Sequence, residues 1–161
     1  FRVREYYKTH VLVEDAAKDI RPWLSMPGEP TPLALVCDHD AEGRATLERH
    51  LGMRTIPAFK GVAVGIEAVC SRLKLADDGR PRLFLCADAL VERDPRLDDT
   101  ESDAPPRPAC TEEEIESYVW VTGKKREEPV KVDDHGCDCV RYAVAFADGK
   151  GHTAAQFHGW V

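Results

Sequence analysis

The chain has 161 residues, 43% of them hydrophobic and 32% charged, which is typical of one ordinary globular domain. No apolar run approaches the length of a membrane span, so the composition argues against a bilayer role. The net charge of −7 argues against a protein that grips nucleic acid by bulk electrostatics, because that grip depends on Lys and Arg. A nuclease that gathers carboxylates around metal ions stays compatible with this charge.

The N-terminal part of the sequence predicts a strand, a helix and a second strand. Residues 1–7 carry aromatic and β-branched side chains and are typical of a strand. Apolar residues recur at helical spacing over 13–24, and Pro22 should end or kink that helix. The unbroken apolar run LALVCD at 33–38 predicts a strand that is covered on both faces.

The middle of the sequence continues the alternation. A helix follows from about residue 41, with Asp40 as its N-cap and Gly52 as its stop. Residues 54–59 predict a strand, 62–73 a helix with one apolar stripe, and 82–86 a further strand.

The C-terminal part begins with the acidic, Pro-rich segment 94–110, which predicts an extended loop. Thr111 and Glu114 have the spacing of a capping box for a short helix, and a strand is expected over 119–121. A last helix is expected from Asp134. Together the elements predict an α/β domain with a mixed, largely parallel sheet.

Two groups of acidic residues could carry chemistry. Asp38 ends a buried strand, at the sheet edge where α/β proteins build their sites, and Asp40 follows at a helix start. Asp134 and Asp138 lie four residues apart, so a helix would place both on one face, where their charges repel. A divalent cation would remove that repulsion. The alternative is that Asp40 and Asp134 only cap helices and that Asp138 faces solvent.

Several segments, in order, resemble the C-terminal part of the nuclease domain of tailed-phage terminase large subunits. DDHGCDCVRYAVAF at 133–146 resembles that family's closing motif, in which an Asp-His pair precedes an Asp and then an Arg-Tyr pair. VCDHDAEGRATLERHLG at 36–52 resembles its second acidic strand end with the following helix, and AFKGVAVGIEAVCSRL at 58–73 resembles the Lys, turn and helix that come next. EEIESYVW at 113–120 also fits, so the similarity covers about residues 1–147.

The resemblance implies a ribonuclease H-like mixed sheet flanked by helices, and an endonuclease that cuts concatemeric DNA during capsid packaging. Asp38 matches the second of the family's metal-binding acids and Asp138 the third, while Asp134 and His135 match flanking positions that shape the site. Asp134 is a further candidate ligand. The implied cofactor is Mg²⁺ or Mn²⁺, and the implied mechanism is two-metal phosphodiester hydrolysis. The implied partners are double-stranded DNA, the portal protein and the small terminase subunit, in the cytoplasm of a bacterial host.

Further residues have supporting roles in this interpretation. Asp40 lies beside the second acidic position, and Lys60 is a candidate to approach a phosphate or simply a solvated lysine in a loop. The one concentrated basic loop is a candidate DNA contact or simply an exposed hairpin tip, and it consists of Lys124, Lys125 and Arg126.

The sequence also departs from the family. The family's first acidic residue lies upstream of a segment like 1–7, and no phosphate-binding loop pattern is present, so we expect a longer parent chain that holds both. Cys139 stands where the family usually has Ala. The expected organisation is an N-terminally truncated nuclease-like domain over 1–147 and an unassigned tail over 148–161, and the activity of this fragment stays open.

Two other functions remain as alternatives. A chain without one metal-binding acid could be a prophage remnant or a structural domain that contacts the portal or the motor. The soft ligands that could instead hold Zn²⁺ are His135, Cys137, Cys139, Cys37 and His39. However, the C-x-C spacing is not the usual zinc knuckle. We expect all six cysteines to be reduced thiols.

Overall fold

The computed structural model describes residues 4–28, 31–38, 40–97, 107–121 and 129–150. Within these ranges the chain is mixed α/β, with five α-helices, two 3₁₀ turns and one two-stranded parallel sheet. The predicted fold class is therefore confirmed at this level. The chain divides into two compact units, one formed by residues 10–58 and one by 1–9 together with 59–161. None of the described helices is both long enough and apolar enough to cross a membrane.

The unit of residues 10–58 contains the sheet. Strands β1 (Leu35–Cys37) and β2 (Thr55–Pro57) pair in parallel, with Leu35 opposite Thr55. Helix α2 (Ala41–Leu51) connects them, as parallel neighbours require a crossover. Both strands and the helix lie where the apolar pattern predicts them.

Local sequence sets the ends of the helices in this unit. Helix α1 (Val13–Ile20) contacts α2 and passes into a 3₁₀ turn over Arg21–Ser25, so the predicted break at Pro22 is confirmed. Asp40 Oδ1 accepts a hydrogen bond of 2.8 Å from a backbone N–H in the first turn of α2. Gly52 ends α2 in the left-handed conformation, with φ 70°.

The other unit is held together by helix packing. Helix α5 (His135–Ala147) contacts both α3 (Val62–Leu73) and α4 (Thr111–Ser117). A 3₁₀ turn covers Pro95–Leu97, at the start of the predicted loop. The buried apolar residues of this unit are Ala68, Ala89, Leu97, Ala109, Tyr142, Val144 and Ala145. This core is rich in small side chains, which lets the helix backbones approach closely.

Three predicted strands are wrong in the residues that the structure describes. Glu5 and Trp120 form only isolated bridges, to Leu90 and Pro129. Residues 82–86 contribute only a single bridge, at Leu85, and the N–H groups of Arg82 and Leu83 donate to the carbonyl of Arg72 at the end of α3. Phe84 is exposed, and so are Val119 and Trp120, so these apolar side chains are not covered by another layer. An apolar run becomes a strand only when a partner strand and a covering layer are present.

Candidate functional site

The acidic pair at the end of β1 divides into two roles. Asp38 directly follows β1 and is exposed at the carboxyl edge of the sheet. Asp40 caps α2 with its side chain, so the capping interpretation is correct for this residue. His39, between them, lies outside the described residues. Of Asp38 and Asp40, only Asp38 therefore remains a candidate metal ligand.

The acidic pair on α5 faces a single cation. The ammonium of Lys131 lies 2.9 Å from Asp134 Oδ2 and 3.7 Å from Asp138 Oδ2. The two side chains are only 11% and 18% exposed, respectively, whereas that of Lys131 is 57% exposed. Hydrogen bonding to Asp134 raises the pKa of Lys131, because the carboxylate favours the ammonium form. Two carboxylate oxygens therefore converge on one positively charged atom.

A buried arginine holds the other carboxylate oxygen of Asp138, Oδ1. Arg141, one turn further along α5, donates to Asp138 Oδ1 with Nη2 at 2.7 Å and is only 3% exposed. Its Nη1 also donates to the carbonyl of Phe59 at 3.4 Å. A Cβ at Gly65 on α3 would lie 2.7 Å from Arg141 Cδ, so only glycine leaves room for this side chain. Asp138 is accordingly held in one orientation, with Oδ2 turned toward Lys131.

Tyr142 completes the surroundings of Asp138. Its hydroxyl donates to Asp138 Oδ2 at 3.3 Å, and the Arg141 guanidinium lies 4.6 Å from its ring centroid. Burial and the Asp138 charge raise the pKa of Tyr142, so the phenol stays a donor at neutral pH. Lys60, whose Nζ is 5.8 Å from the same ring centroid, brings a second cation to this face. The predicted supporting residue Lys60 and Asp138 therefore share a neighbour.

A buried acid from another helix caps α5. Glu114 on α4 is 1% exposed, and its Oε2 accepts the backbone N–H of Cys137 at 2.8 Å. Asp134 occupies the N-cap position of α5 but makes no capping hydrogen bond with its side chain. The close approach depends on Gly136, where a Cβ would lie 2.8 Å from Thr111 Cβ and 3.0 Å from Glu114 Oε2. The capping interpretation of Asp134 is therefore wrong, and so is the solvent-facing interpretation of Asp138.

The predicted capping box at the start of α4 is also wrong. Cys110 is the N-cap and makes no side-chain capping bond, while Thr111 donates its hydroxyl and its N–H to Glu5. Glu113, not Glu114, reaches back and accepts the N–H of Ala109 at 2.7 Å. Glu114 can accept a hydrogen bond from α5 because it lies on the side of α4 that faces the core.

The N-terminal segment holds Glu114 from the opposite side. Tyr7 donates its hydroxyl to Glu114 Oε1 at 2.6 Å. Burial and the Glu114 carboxylate raise the pKa of Tyr7 well above its ordinary value, because ionisation would place two negative charges side by side. Each oxygen of Glu114 thus has a donor, which is the condition for burying a carboxylate at low cost.

The turn before α5 is fixed by Asp133. This residue adopts φ 47°, in the left-handed region that Asp tolerates better than most residues, and its Oδ1 accepts Arg107 Nη2 at 2.8 Å. The Asp133 carboxylate raises the pKa of the Arg107 guanidinium. The ion pair and the turn together orient the backbone at Asp134, the residue that precedes α5.

Cys137, near this site, favours the thiol form. Burial, followed by the charge of Glu114, raises the pKa of Cys137 to about 12, so its sulfur stays protonated at neutral pH. Zinc binds thiolates, so the raised pKa makes deprotonation of Cys137 by a zinc ion more costly than that of an ordinary cysteine. All six cysteines are free thiols, as expected.

The remaining predicted residues are distributed as follows. His135 is the first residue of α5 and is exposed. The basic residues Lys124, Lys125 and Arg126 lie outside the described part of the chain. Asp38 belongs to the unit of residues 10–58 and Asp138 to the other unit, so their joint metal site stays a prediction.

The donor set of α5 suits a hard cation. Within the described residues, no group of three or more His, Cys, Asp and Glu side chains is arranged to hold a metal ion. The pair Asp134 and Asp138 nevertheless presents two oxygens to one point, and such oxygens are what Mg²⁺ and Mn²⁺ prefer alongside several waters. The residues present therefore fit a partial divalent-cation site.

Comparisons of the chain with protein-family models, with curated proteins and with solved structures gave no match. Sequence reasoning found Asp134 and Asp138 but missed Lys131 and Glu114. The inward position of Glu114 had one local signal, since Thr111, Glu114 and Tyr118 share a helical face.

Proposed function

We propose that this chain is part of the nuclease domain of a phage terminase large subunit. In this proposal the domain has a ribonuclease H-like fold and cleaves double-stranded concatemeric DNA with Mg²⁺ or Mn²⁺. The portal protein and the small terminase subunit would be its partners, in the cytoplasm of the bacterial host. The proposal takes its family from the ordered sequence motifs.

The observation that carries the site is the arrangement of Asp134 and Asp138. Neither carboxylate caps a helix, and both present an oxygen to the same point, where the Lys131 ammonium lies. Like charges one turn apart on a helix are destabilising unless a cation lies between them. Glu114 performs the capping that would otherwise have occupied Asp134.

The surrounding residues would orient the ligands and the DNA. A bound divalent ion supplies Lewis-acid activation of water and stabilises the leaving oxygen. Arg141 fixes Oδ1 of Asp138 and Tyr142 donates to Oδ2, as hydrogen-bonding partners of metal ligands do. Lys60 adds a positive charge beside Tyr142, where it would attract a backbone phosphate. Asp38 would contribute the second acid of the family motif.

The test is Mn²⁺-dependent nicking of supercoiled plasmid by the chain and by Asp38→Ala and Asp138→Ala. We expect each substitution to lower the nicking rate by about 100-fold or more, since even residues that only support metal ligands are worth about 10- to 100-fold. Asp77→Ala is the matched control, because Asp77 is an exposed carboxylate in a turn. It should nick as fast as the parent chain.

The other outcomes are also informative. If Asp38→Ala, Asp138→Ala and Asp77→Ala all nicked DNA as fast as the parent chain, Asp38 and Asp138 would not belong to the active site. No nicking by the parent chain would show that this chain alone is not an active endonuclease, and would leave either an incomplete nuclease domain or a structural domain that contacts the portal or the motor.

A further inference from the structure

Lys131 is the one residue of the acidic site that the family motifs do not include. It lies three residues before Asp134, in the segment between the isolated bridge at Pro129 and helix α5. Its ammonium contacts Asp134 Oδ2 at 2.9 Å and Asp138 Oδ2 at 3.7 Å. These are the oxygens that Arg141 does not hold, since it donates to Oδ1 of Asp138, and Asp138 Oδ2 also accepts the Tyr142 hydroxyl at 3.3 Å.

The position of the ammonium is that of a counter-ion. Mg²⁺ binds carboxylate oxygens at about 2.0–2.1 Å, so an ion at the same point would draw both oxygens inward and leave no room for Lys131. The carboxylates cannot turn away as a pair, since Asp138 is fixed by a 3% exposed arginine. The lysine can, because its side chain is 57% exposed and lies on a non-helical segment.

We propose that Lys131 is a built-in counter-cation that occupies the divalent-cation position between Asp134 and Asp138 and leaves it when the metal binds. This inference rests on the proposed function, since it assumes that a divalent ion uses these carboxylates. In the absence of metal, the positive charge of Lys131 offsets the repulsion between the two carboxylates. It also lowers the affinity of the site, because binding must first break both of its contacts with the carboxylates.

The experiment measures Mn²⁺ affinity rather than cleavage. Free Mn²⁺ is followed by its EPR signal during titration of the chain, Lys131→Met, Lys131→Arg and Asp138→Asn. We expect Lys131→Met to bind Mn²⁺ about 3- to 10-fold more tightly than the parent chain, the factor that corresponds to releasing one or two partly exposed ion pairs. Lys131→Arg should keep the parent affinity because it keeps the charge, and Asp138→Asn should abolish the site.

Lys18→Met is the matched control. Lys18 also lies between two carboxylates on a helix, 2.8 Å from Glu14 and 3.1 Å from Asp15. If freeing any acidic pair created a manganese site, this variant would gain affinity as well. We expect it to match the parent chain.

A second readout follows the lysine itself. Acetylation of Lys131 by a water-soluble anhydride, read by mass spectrometry, should become faster when Mn²⁺ is added, while acetylation of Lys18 should not change. This result would show that the metal displaces the ammonium from its carboxylates.

Each outcome decides between the two proposals. Equal Mn²⁺ affinity in the parent chain and Lys131→Met, with binding lost in Asp138→Asn, would overturn the role of Lys131 and leave the metal site standing. Binding that survives Asp138→Asn would place the ion elsewhere and overturn the inference. No Mn²⁺ binding by the parent chain or by Lys131→Met would overturn both the inference and the metal site of the proposed function.

Discussion

Helices α2 and α5 begin in the same way in the sequence and differently in the structure. Each is preceded by an aspartate at the N-cap position, Asp40 and Asp134. Asp40 uses its own carboxylate to cap α2. At α5 the cap comes from Glu114, on a different helix, and the Asp134 carboxylate is turned toward Lys131 instead.

The difference shows how a helix start can be made available for chemistry. A capping carboxylate is occupied by a backbone N–H and is a poor candidate for any second role. When a buried neighbour takes over the capping, the local aspartate keeps its oxygens for another cation. The position of an Asp before a helix therefore does not decide its role, and the partner of the first N–H groups does.

Removing the substitute cap should produce the largest effect. Glu114→Ala would leave the N–H of Cys137 and the hydroxyl of Tyr7 without their acceptor in the core. We expect a loss of about 3 kcal/mol in the free energy of unfolding, from two unsatisfied donors and a small cavity. Urea denaturation followed by circular dichroism measures it.

The control for this substitution is Glu116→Ala on the same helix. Glu116 is exposed, so its removal should change the free energy of unfolding by less than about 0.5 kcal/mol. Equal losses in the two variants would mean that Glu114 does not hold α5.

Substituting the two N-cap aspartates tests the comparison directly. Asp40→Ala should cost about 1 kcal/mol, the usual value of a capping carboxylate. Asp134→Ala should cost less than about 0.5 kcal/mol, because it removes no cap, loses only a partly exposed ion pair and relieves repulsion with Asp138. The measurement is again urea denaturation at neutral pH. A reversed order would assign the cap of α5 to Asp134.

The smallest effect concerns pH and the second donor to Glu114. The pKa of Tyr7 is raised in the folded chain by burial and by the Glu114 carboxylate. A raised pKa gives stability that is complete below the unfolded pKa of about 10 and is lost as pH rises above it. The parent chain should therefore lose stability between about pH 9 and pH 11 more steeply than Tyr7→Phe.

This comparison uses the slopes of the two variants rather than their stabilities, because Tyr7→Phe also removes a hydrogen bond. Thermal denaturation at intervals across that pH range gives both slopes. Identical slopes would show that Tyr7 ionises as freely in the folded chain as in the unfolded one.

The parts of the fold that could be predicted are those with local causes. The bounds of α3, the cap and glycine stop of α2 and the break at Pro22 each depend on residues within one or two turns, and the structure confirms them. The strand expected over 82–86 is reduced to a single bridge at Leu85, because the length of a strand depends on a partner that no local pattern specifies.

The candidate site follows the same rule. Asp134 and Asp138 were identifiable from their spacing on a predicted helix. Their environment was not, because Arg141 is placed by the gap at Gly65 and the cap of α5 comes from Glu114. Both depend on which helices lie side by side, which a single sequence does not state.

The bond between Tyr7 and Glu114 joins residues 107 positions apart, and the bonds from Thr111 to Glu5 join residues 106 apart. By contrast, the paired strands β1 and β2 are separated by a single helix. Closing a long loop carries a larger entropy cost than closing a short one. On the ribosome, residues 10–58 are complete before α4 exists. The segment around Tyr7 must therefore wait for most of the chain to be synthesised before it can dock.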